Sequence, residues 1–99
     1  MVRWTRSAKV VLGKFPQAMQ WAKEITEFAN KKYKTQMGVY LDIFGEAGTI
    51  RWVNDYADLG AFEKVRNQLL ADQEYWKKLN QSAELFVQGS TFDTVMQSI

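Results

Sequence analysis

Residues Met37 to Tyr56 read MGVYLDIFGEAGTIRWVNDY, and this stretch decides the fold. Met37 to Phe44 is rich in Val, Leu, Ile, Tyr and Phe, which suit a pleated, half-buried surface. Gly45-Glu46-Ala47-Gly48 follows with glycine at both ends, and Thr49 to Tyr56 is again apolar and β-branched. Two such runs around a short glycine-bearing segment predict a hairpin. With Phe44 facing Thr49, Ile43 pairs with Ile50, Leu41 with Trp52, Val39 with Asn54 and Met37 with Tyr56. Side chains alternate along a strand, so these residues share one face. The other face carries Phe44, Tyr40 and Val53, with Asp42 and Arg51 as a cross-strand ion pair. The first face is the more apolar and is expected beneath helices. The second is too apolar to leave open and too polar for a simple core. A second copy of the chain, packed sheet to sheet, would cover it.

The flanking sequence supplies the rest of the sheet and its helices. Val2 to Val11 carries β-branched and aromatic residues and no helix breaker, which predicts a strand. Gly13 to Pro16 turns the chain, and Pro16 suits the first turn of a helix running to about Lys34. Ala18, Ala22, Ile25 and Ala29 recur there at spacings of three and four. Asp58 is placed to cap a second helix holding Leu59, Phe62, Val65, Arg66, Leu69 and Leu70, and Asp72 begins a further helical piece with Tyr75, Trp76 and Leu79. Ser82 to about Met96 is expected to contain the last strand, centred on Leu85, Phe86 and Val87, with Gly89 kinking or ending it. The order β-α-β-β-α-β is that of a ferredoxin-like α+β fold, a four-stranded antiparallel sheet with helices on one face, as one domain over residues 1–99.

Composition narrows the chemistry. The 99 residues hold no cysteine and no histidine. That removes disulfide scaffolds, thiol chemistry, histidine acid–base catalysis, His-ligated haem and almost all zinc enzymes. The net charge is +2, and the densest basic cluster, Lys31, Lys32 and Lys34, lies at a helix end where cations suit the dipole. Nucleic-acid binding asks for a stronger basic patch. No apolar run approaches the roughly 20 residues of a membrane span, and Met1 to Val11 lacks the apolar stretch of a signal peptide. A cytoplasmic location follows as the expectation. Neither a glycine-rich phosphate loop, a paired-carboxylate metal site nor a nucleophile elbow occurs, so no cofactor and no metal are expected.

The stretch Ile50-Arg51-Trp52-Val53-Asn54-Asp55-Tyr56-Ala57-Asp58-Leu59-Gly60-Ala61-Phe62-Glu63 resembles the third strand and second helix of the dimeric α/β-barrel superfamily. Leu69-Leu70-Ala71-Asp72-Gln73-Glu74-Tyr75-Trp76 resembles the helix and acidic-aromatic turn of its NIPSNAP-like and antibiotic-biosynthesis-monooxygenase-like branches. The element order fits over nearly the whole chain. The resemblance implies a homodimer whose two sheets pack into a barrel. It also implies an aromatic or polyketide-like ligand, or haem, between sheet and helices. Monooxygenase branches often carry a Trp at the end of the third strand, where this chain has Tyr56. Haem-degrading branches use a His on the second helix, and its absence here argues against haem degradation.

Five residues are candidates for a ligand site. Trp52, Asn54 and Tyr56 alternate on one face of the third strand, two aromatics to hold a flat ligand and an amide to orient its carbonyl. Core packing is the plainer reading, above all for Trp52. Trp21 on the first helix either closes the pocket or fills the helix–sheet layer. Arg6, on the same face as Trp4, either meets an anionic ligand or lies at the dimer interface or in solvent. Asp42 and Arg51 form a structural ion pair or a tuned acid within the barrel. Asp55 and Glu63 lie near the second helix and are further candidate bases, although nothing singles them out. Tyr75 and Trp76 are expected to pin the second helical piece. Two functions stay open: a small-molecule-binding homodimer with cofactor-free monooxygenase-like activity, or a non-enzymatic ligand-binding, stress-related or assembly domain. The second predicts a filled helix–sheet layer.

Overall fold

A computed structural model describes all of residues 1–99. Strand β1 (Val2–Lys9) is paired along both edges. Against β3 (Thr49–Tyr56) it runs antiparallel from Val2 opposite Tyr56 to Lys9 opposite Thr49. Against β4 (Phe92–Gln97) it runs antiparallel from Val2 opposite Gln97 to Ser7 opposite Phe92. The short β2 (Gly38–Leu41) completes the order β2-β3-β1-β4 as an edge strand. Val2, Trp4, Arg6 and Ala8 therefore share a face with Ile50, Trp52, Asn54 and Tyr56, and the helices cover that face.

Helix α1 (Phe15–Tyr33) is seated closely because its inner stripe is small. Ala18, Ala22 and Ala29 are buried with Ile25, against Ala8, Ile50 and Trp52. Thr26 links helix and sheet: its hydroxyl donates to the Ala22 carbonyl at 2.7 Å and accepts from Trp52 Nε1 at 3.1 Å. Pro16 stands in the first turn, and Lys34 ends the helix in the left-handed region at φ 55°. Asn30 then fixes the exit, accepting from the Met37 backbone N–H at 2.8 Å and donating to its carbonyl at 3.0 Å.

The other helices are held by their caps. Asp58 accepts from the Ala61 N–H at 2.8 Å and starts α2 (Leu59–Leu70). Asp72 accepts from Glu74 and Tyr75 N–H groups and starts α3 (Gln73–Gln81). Trp76 Nε1 donates to the Leu70 carbonyl at 2.9 Å and closes the α2–α3 corner. Trp21 Nε1 donates to the Lys78 carbonyl at 3.0 Å and ties α3 to α1. Unlike α1, helix α2 buries no residue fully. It roofs a cavity and meets the sheet where Phe62 packs edge-on against Tyr56 at 5.5 Å.

Two expectations need correction. The hairpin is shifted by two residues: Leu41 faces Ile50 and Val39 faces Trp52. Asp42 to Gly48 form a wide loop in which Gly45 and Gly48 take φ of 110° and 80°. A shift of two leaves each residue on its expected face, so the burial of Ile50 and Trp52 is unchanged. It does put Ile43 and Phe44 into the loop, exposed. The last strand is Phe92–Gln97, not the run centred on Leu85, Phe86 and Val87. Those residues form an irregular segment at the end of β1, where Val11 N–H donates to the Leu85 carbonyl and Val87 N–H to the Lys9 carbonyl, both within 2.9 Å. Phe86 packs inward from there, and Gly89 at φ 79° turns the chain into β4.

The opposite sheet face has no helix. Tyr40, Phe92 and Met96 are exposed on it. Arg51 holds Asp42 through two hydrogen bonds of 2.8 and 3.0 Å, and Arg3 holds Asp55 through two of the same lengths. The expected cross-strand pair is thus a two-pronged ion pair, and Asp55 is engaged as a structural partner of β1.

Candidate functional site

A cavity of about 410 Å³ lies between the sheet and the three helices. Trp4, Arg6 and Ala8 of β1 and Trp52 and Tyr56 of β3 form its floor. Phe62, Val65, Arg66 and Leu69 of α2 form the roof, spaced as one face of a helix. Trp21 closes one side and Tyr75 of α3 another.

The apolar end is an aromatic cluster. Trp21 meets Trp52 edge-on at 6.2 Å and Phe86 at 5.6 Å, and Trp52 lies 6.1 Å from Phe86. Trp52 is 5% exposed and satisfied by Thr26, so it is a core residue that also borders the cavity. Tyr56 meets Phe62 edge-on at 5.5 Å. Burial pushes the Tyr56 hydroxyl up from the ordinary phenol value, opposed by the Asn54 amide, so it stays protonated at neutral pH.

The charged end is made by β1, β4 and α2. Arg6 Nε donates to Asp93 Oδ1 at 2.7 Å and Nη2 to Oδ2 at 2.8 Å, while Nη1 reaches the Tyr75 hydroxyl at 3.4 Å. The Arg6 guanidinium also lies 5.5 Å from the Trp4 ring centroid. Hydrogen bonding to Asp93 raises the Arg6 pKa further above its ordinary value. Burial alone would push the Asp93 carboxyl up, but its bonds from Arg6 outweigh that and hold it below the usual range. Arg66 contributes to the same field without a salt bridge of its own.

Of the five candidates, Trp21, Trp52, Tyr56 and Arg6 border this cavity together. Asn54 does not. It is 4% exposed and borders a neighbouring, more polar cleft of about 450 Å³, with Lys34, Lys64 and Gln68. Tyr56 and Val65 border both spaces and form the partition between them. Arg6 stands on the cavity wall, although sequence alone also allowed solvent or an interface. Tyr75 both pins α3 and reaches the charged end. Asp93, Arg66, Phe62 and Phe86 escaped sequence reasoning as site residues. The i, i+3, i+4, i+7 spacing of Phe62, Val65, Arg66 and Leu69 carried the signal for the roof. No group of three carboxylate, histidine or cysteine side chains is placed to hold a metal. No helix is long and apolar enough to cross a membrane.

Sheet order, split hairpin and helices on one face define a ferredoxin-like α+β protein. The NIPSNAP family model matches residues 5–97, and the chain belongs to the NIPSNAP family. No curated protein matches it. An uncharacterized NIPSNAP domain protein from Burkholderia xenovorans has a similar crystal structure, with TM-score 0.83 and 14% identity over 100% of this chain and 95% of that one. A NIPSNAP family protein from Agrobacterium tumefaciens gives 0.81 and 15%, over 99% and 92%. An antibiotic biosynthesis monooxygenase gives 0.73 and 10%, over 100% and 99%. At these identities the likeness speaks for the fold alone.

Proposed function

We propose that this protein binds a small, flat, largely apolar molecule between its sheet and helices, as a homodimer joined through the helix-free sheet face. The observation that carries the reading is the open cavity under α2: an aromatic floor of Trp52 and Tyr56, closed by Trp21, beneath a helix that buries nothing fully. A pure assembly domain would gain stability by filling that space, since voids forfeit contacts. A cytoplasmic setting belongs to the same reading, and a chain without cysteine is compatible with it.

Monooxygenase-like turnover of an aromatic or polyketide-like compound is the second reading, favoured by the fold shared with an antibiotic biosynthesis monooxygenase. In cofactor-free oxygen chemistry the substrate supplies the reactive carbanion, and the protein positions and deprotonates it. The cavity wall holds one carboxylate, Asp93, which Arg6 already occupies. Tyr56 is protonated and suited to orient a ligand, not to take its proton. Binding is therefore the function the site supports best.

The test uses N-phenylnaphthylamine, a neutral flat fluorophore, and the variant Val65→Trp, which fills the cavity from α2. Saturable fluorescence enhancement with the parent protein, lost in a variant of unchanged circular dichroism, is the expected result. Equal enhancement by both proteins, or none by either, overturns the assignment. Native mass spectrometry of freshly purified protein would identify a natural occupant.

A further inference from the structure

We infer that the cavity is built for an amphipathic monoanion, with an apolar body against Trp21, Trp52 and Phe86 and a carboxylate head against Arg6, Arg66 and Tyr75. This rests on the ligand-binding reading above and adds the chemical class of the ligand.

The first ground is where the arginines sit. In α2 the residues at i, i+3, i+4 and i+7 of the roof are Phe62, Val65, Arg66 and Leu69. Arg66 thus continues the helix stripe that roofs the cavity, standing at its exposed rim and near enough to Asp93 to act on its charge. Arg6 stands on β1 between Trp4 and Ala8, on the helix-covered face. Two unrelated elements each bring a guanidinium to the Asp93 end of one cavity, Arg6 on its wall and Arg66 at its solvent-exposed rim.

The second ground is the charge count. Arg6, Arg66 and Asp93 are the charged residues of the lining. Asp93 cancels one arginine, which leaves one surplus positive charge. That matches a monoanion and falls short of a phosphate dianion. The third ground is unused donor capacity. A guanidinium has five N–H groups, and Asp93 and Tyr75 take three of those on Arg6. The Tyr75 hydroxyl accepts from Arg6, so its own proton is free to donate. Arg66 has its whole fork available, and a planar fork suits a carboxylate.

The neighbouring cleft is the rival anion site, with Lys34 and Lys64 on its rim. It lies at the C-terminal end of α1, where exposed carbonyls repel anions, and its lysines are exposed. Its aromatics are Tyr33 and Tyr56 alone, and most of its lining is polar, so it offers little apolar wall to an amphipathic ligand.

Naphthoate, naphthamide and naphthalenemethanol share one ring system and differ in the head. Quenching of tryptophan fluorescence measures all three on the parent protein, on Arg66→Gln and on Lys23→Gln, an equal charge change on the exposed side of α1. Naphthoate should bind about tenfold tighter than naphthamide, the size of one charge-assisted hydrogen bond. Arg66→Gln should bring that ratio toward one, and Lys23→Gln should keep it. Added salt should shrink it. A ratio near one in the parent protein overturns the carboxylate inference and leaves the cavity as a neutral-ligand site. An unchanged ratio in Arg66→Gln overturns it as well, since the charge would be read elsewhere. Absence of binding by all three removes the ligand-binding reading itself.

Discussion

Arg6 and Asp93 face each other across the β1–β4 pair, 87 residues apart in sequence, and are joined by two parallel hydrogen bonds of 2.7 and 2.8 Å. The pair does two things. It fastens an edge strand to the strand beside it, and it fixes the fork of Arg6 at the cavity wall. Both side chains stay about a third exposed, at 32% and 40%, so solvent screens the attraction. Asp93→Asn should therefore cost about 1 kcal/mol in urea denaturation, the upper range for exposed pairs. In a double-mutant cycle with Arg6→Gln the second change should add little. A coupling well above that range would mean that the pair is shielded by something the isolated chain lacks, such as a bound partner.

Trp52 is where helix, sheet and cavity meet. It is buried, its indole N–H is satisfied by Thr26, and it contacts the rings of Trp21 and Phe86. Trp52→Ala should cost about 3 to 5 kcal/mol, as truncations of large core aromatics do. Trp52→Phe keeps most of the packing but orphans the Thr26 contact, for a loss nearer about 1 kcal/mol from the hydrogen bond. Urea midpoints at constant slope check both. An alanine variant losing less than the phenylalanine variant would show that Trp52 borders the cavity without holding the core.

What the sequence made legible follows from period and range. The two faces of the hairpin were readable because alternation survives a two-residue slip, whereas the register itself depended on a loop whose width the composition of residues 45–48 does not state. The last strand was misplaced because Leu85-Phe86-Val87 is the most apolar run of its region, yet Phe86 serves the core from irregular backbone. The true strand, Phe92–Gln97, mixes apolar and polar residues on both faces and lies mostly exposed at an edge. Trp21, Trp52 and Tyr56 were found because local periodicity places them. Asp93 was not, since its meeting with Arg6 exists only through the β1–β4 register. Asn54 shared a face with Trp52 and Tyr56, but a partition between two cavities is not written in face assignment.

Asp72 gives the fold an acid-sensitive joint. Its carboxylate caps α3, takes Lys32 Nζ at 2.8 Å and accepts from the Tyr33 hydroxyl, linking the end of α1 to the start of α3. Lys32 first, then Tyr33, lower its carboxyl to about 2. An aspartate in the unfolded chain titrates near about 3.9. The folded state thus prefers the ionised form: the stabilisation is full above about pH 5 and is lost as pH falls toward about 2. Asp72→Asn keeps a capping oxygen but not the charge. Its urea midpoint should lie below that of the parent protein at neutral pH, and the two should converge in acid. Parallel curves down to about pH 2 would show that Asp72 matters here as a cap alone.

The proposed homodimer would bury the helix-free face. Its charges are already paired within the chain, Arg3 with Asp55 and Arg51 with Asp42, so covering them strands no lone ion. Tyr40 and Phe92 stand exposed near opposite edges of that face, and a two-fold axis would lay each against the partner's sheet. Paired charges between large exposed apolar side chains are what the proposed dimer would cover. Sedimentation at micromolar concentration should then give about twice the 11.5 kDa chain mass. Tyr40→Lys combined with Phe92→Lys should give a monomer with native circular dichroism, because both side chains are solvent-exposed in the isolated chain. A parent protein that sediments as a monomer, or a double variant that stays dimeric, would place the self-association elsewhere or remove it.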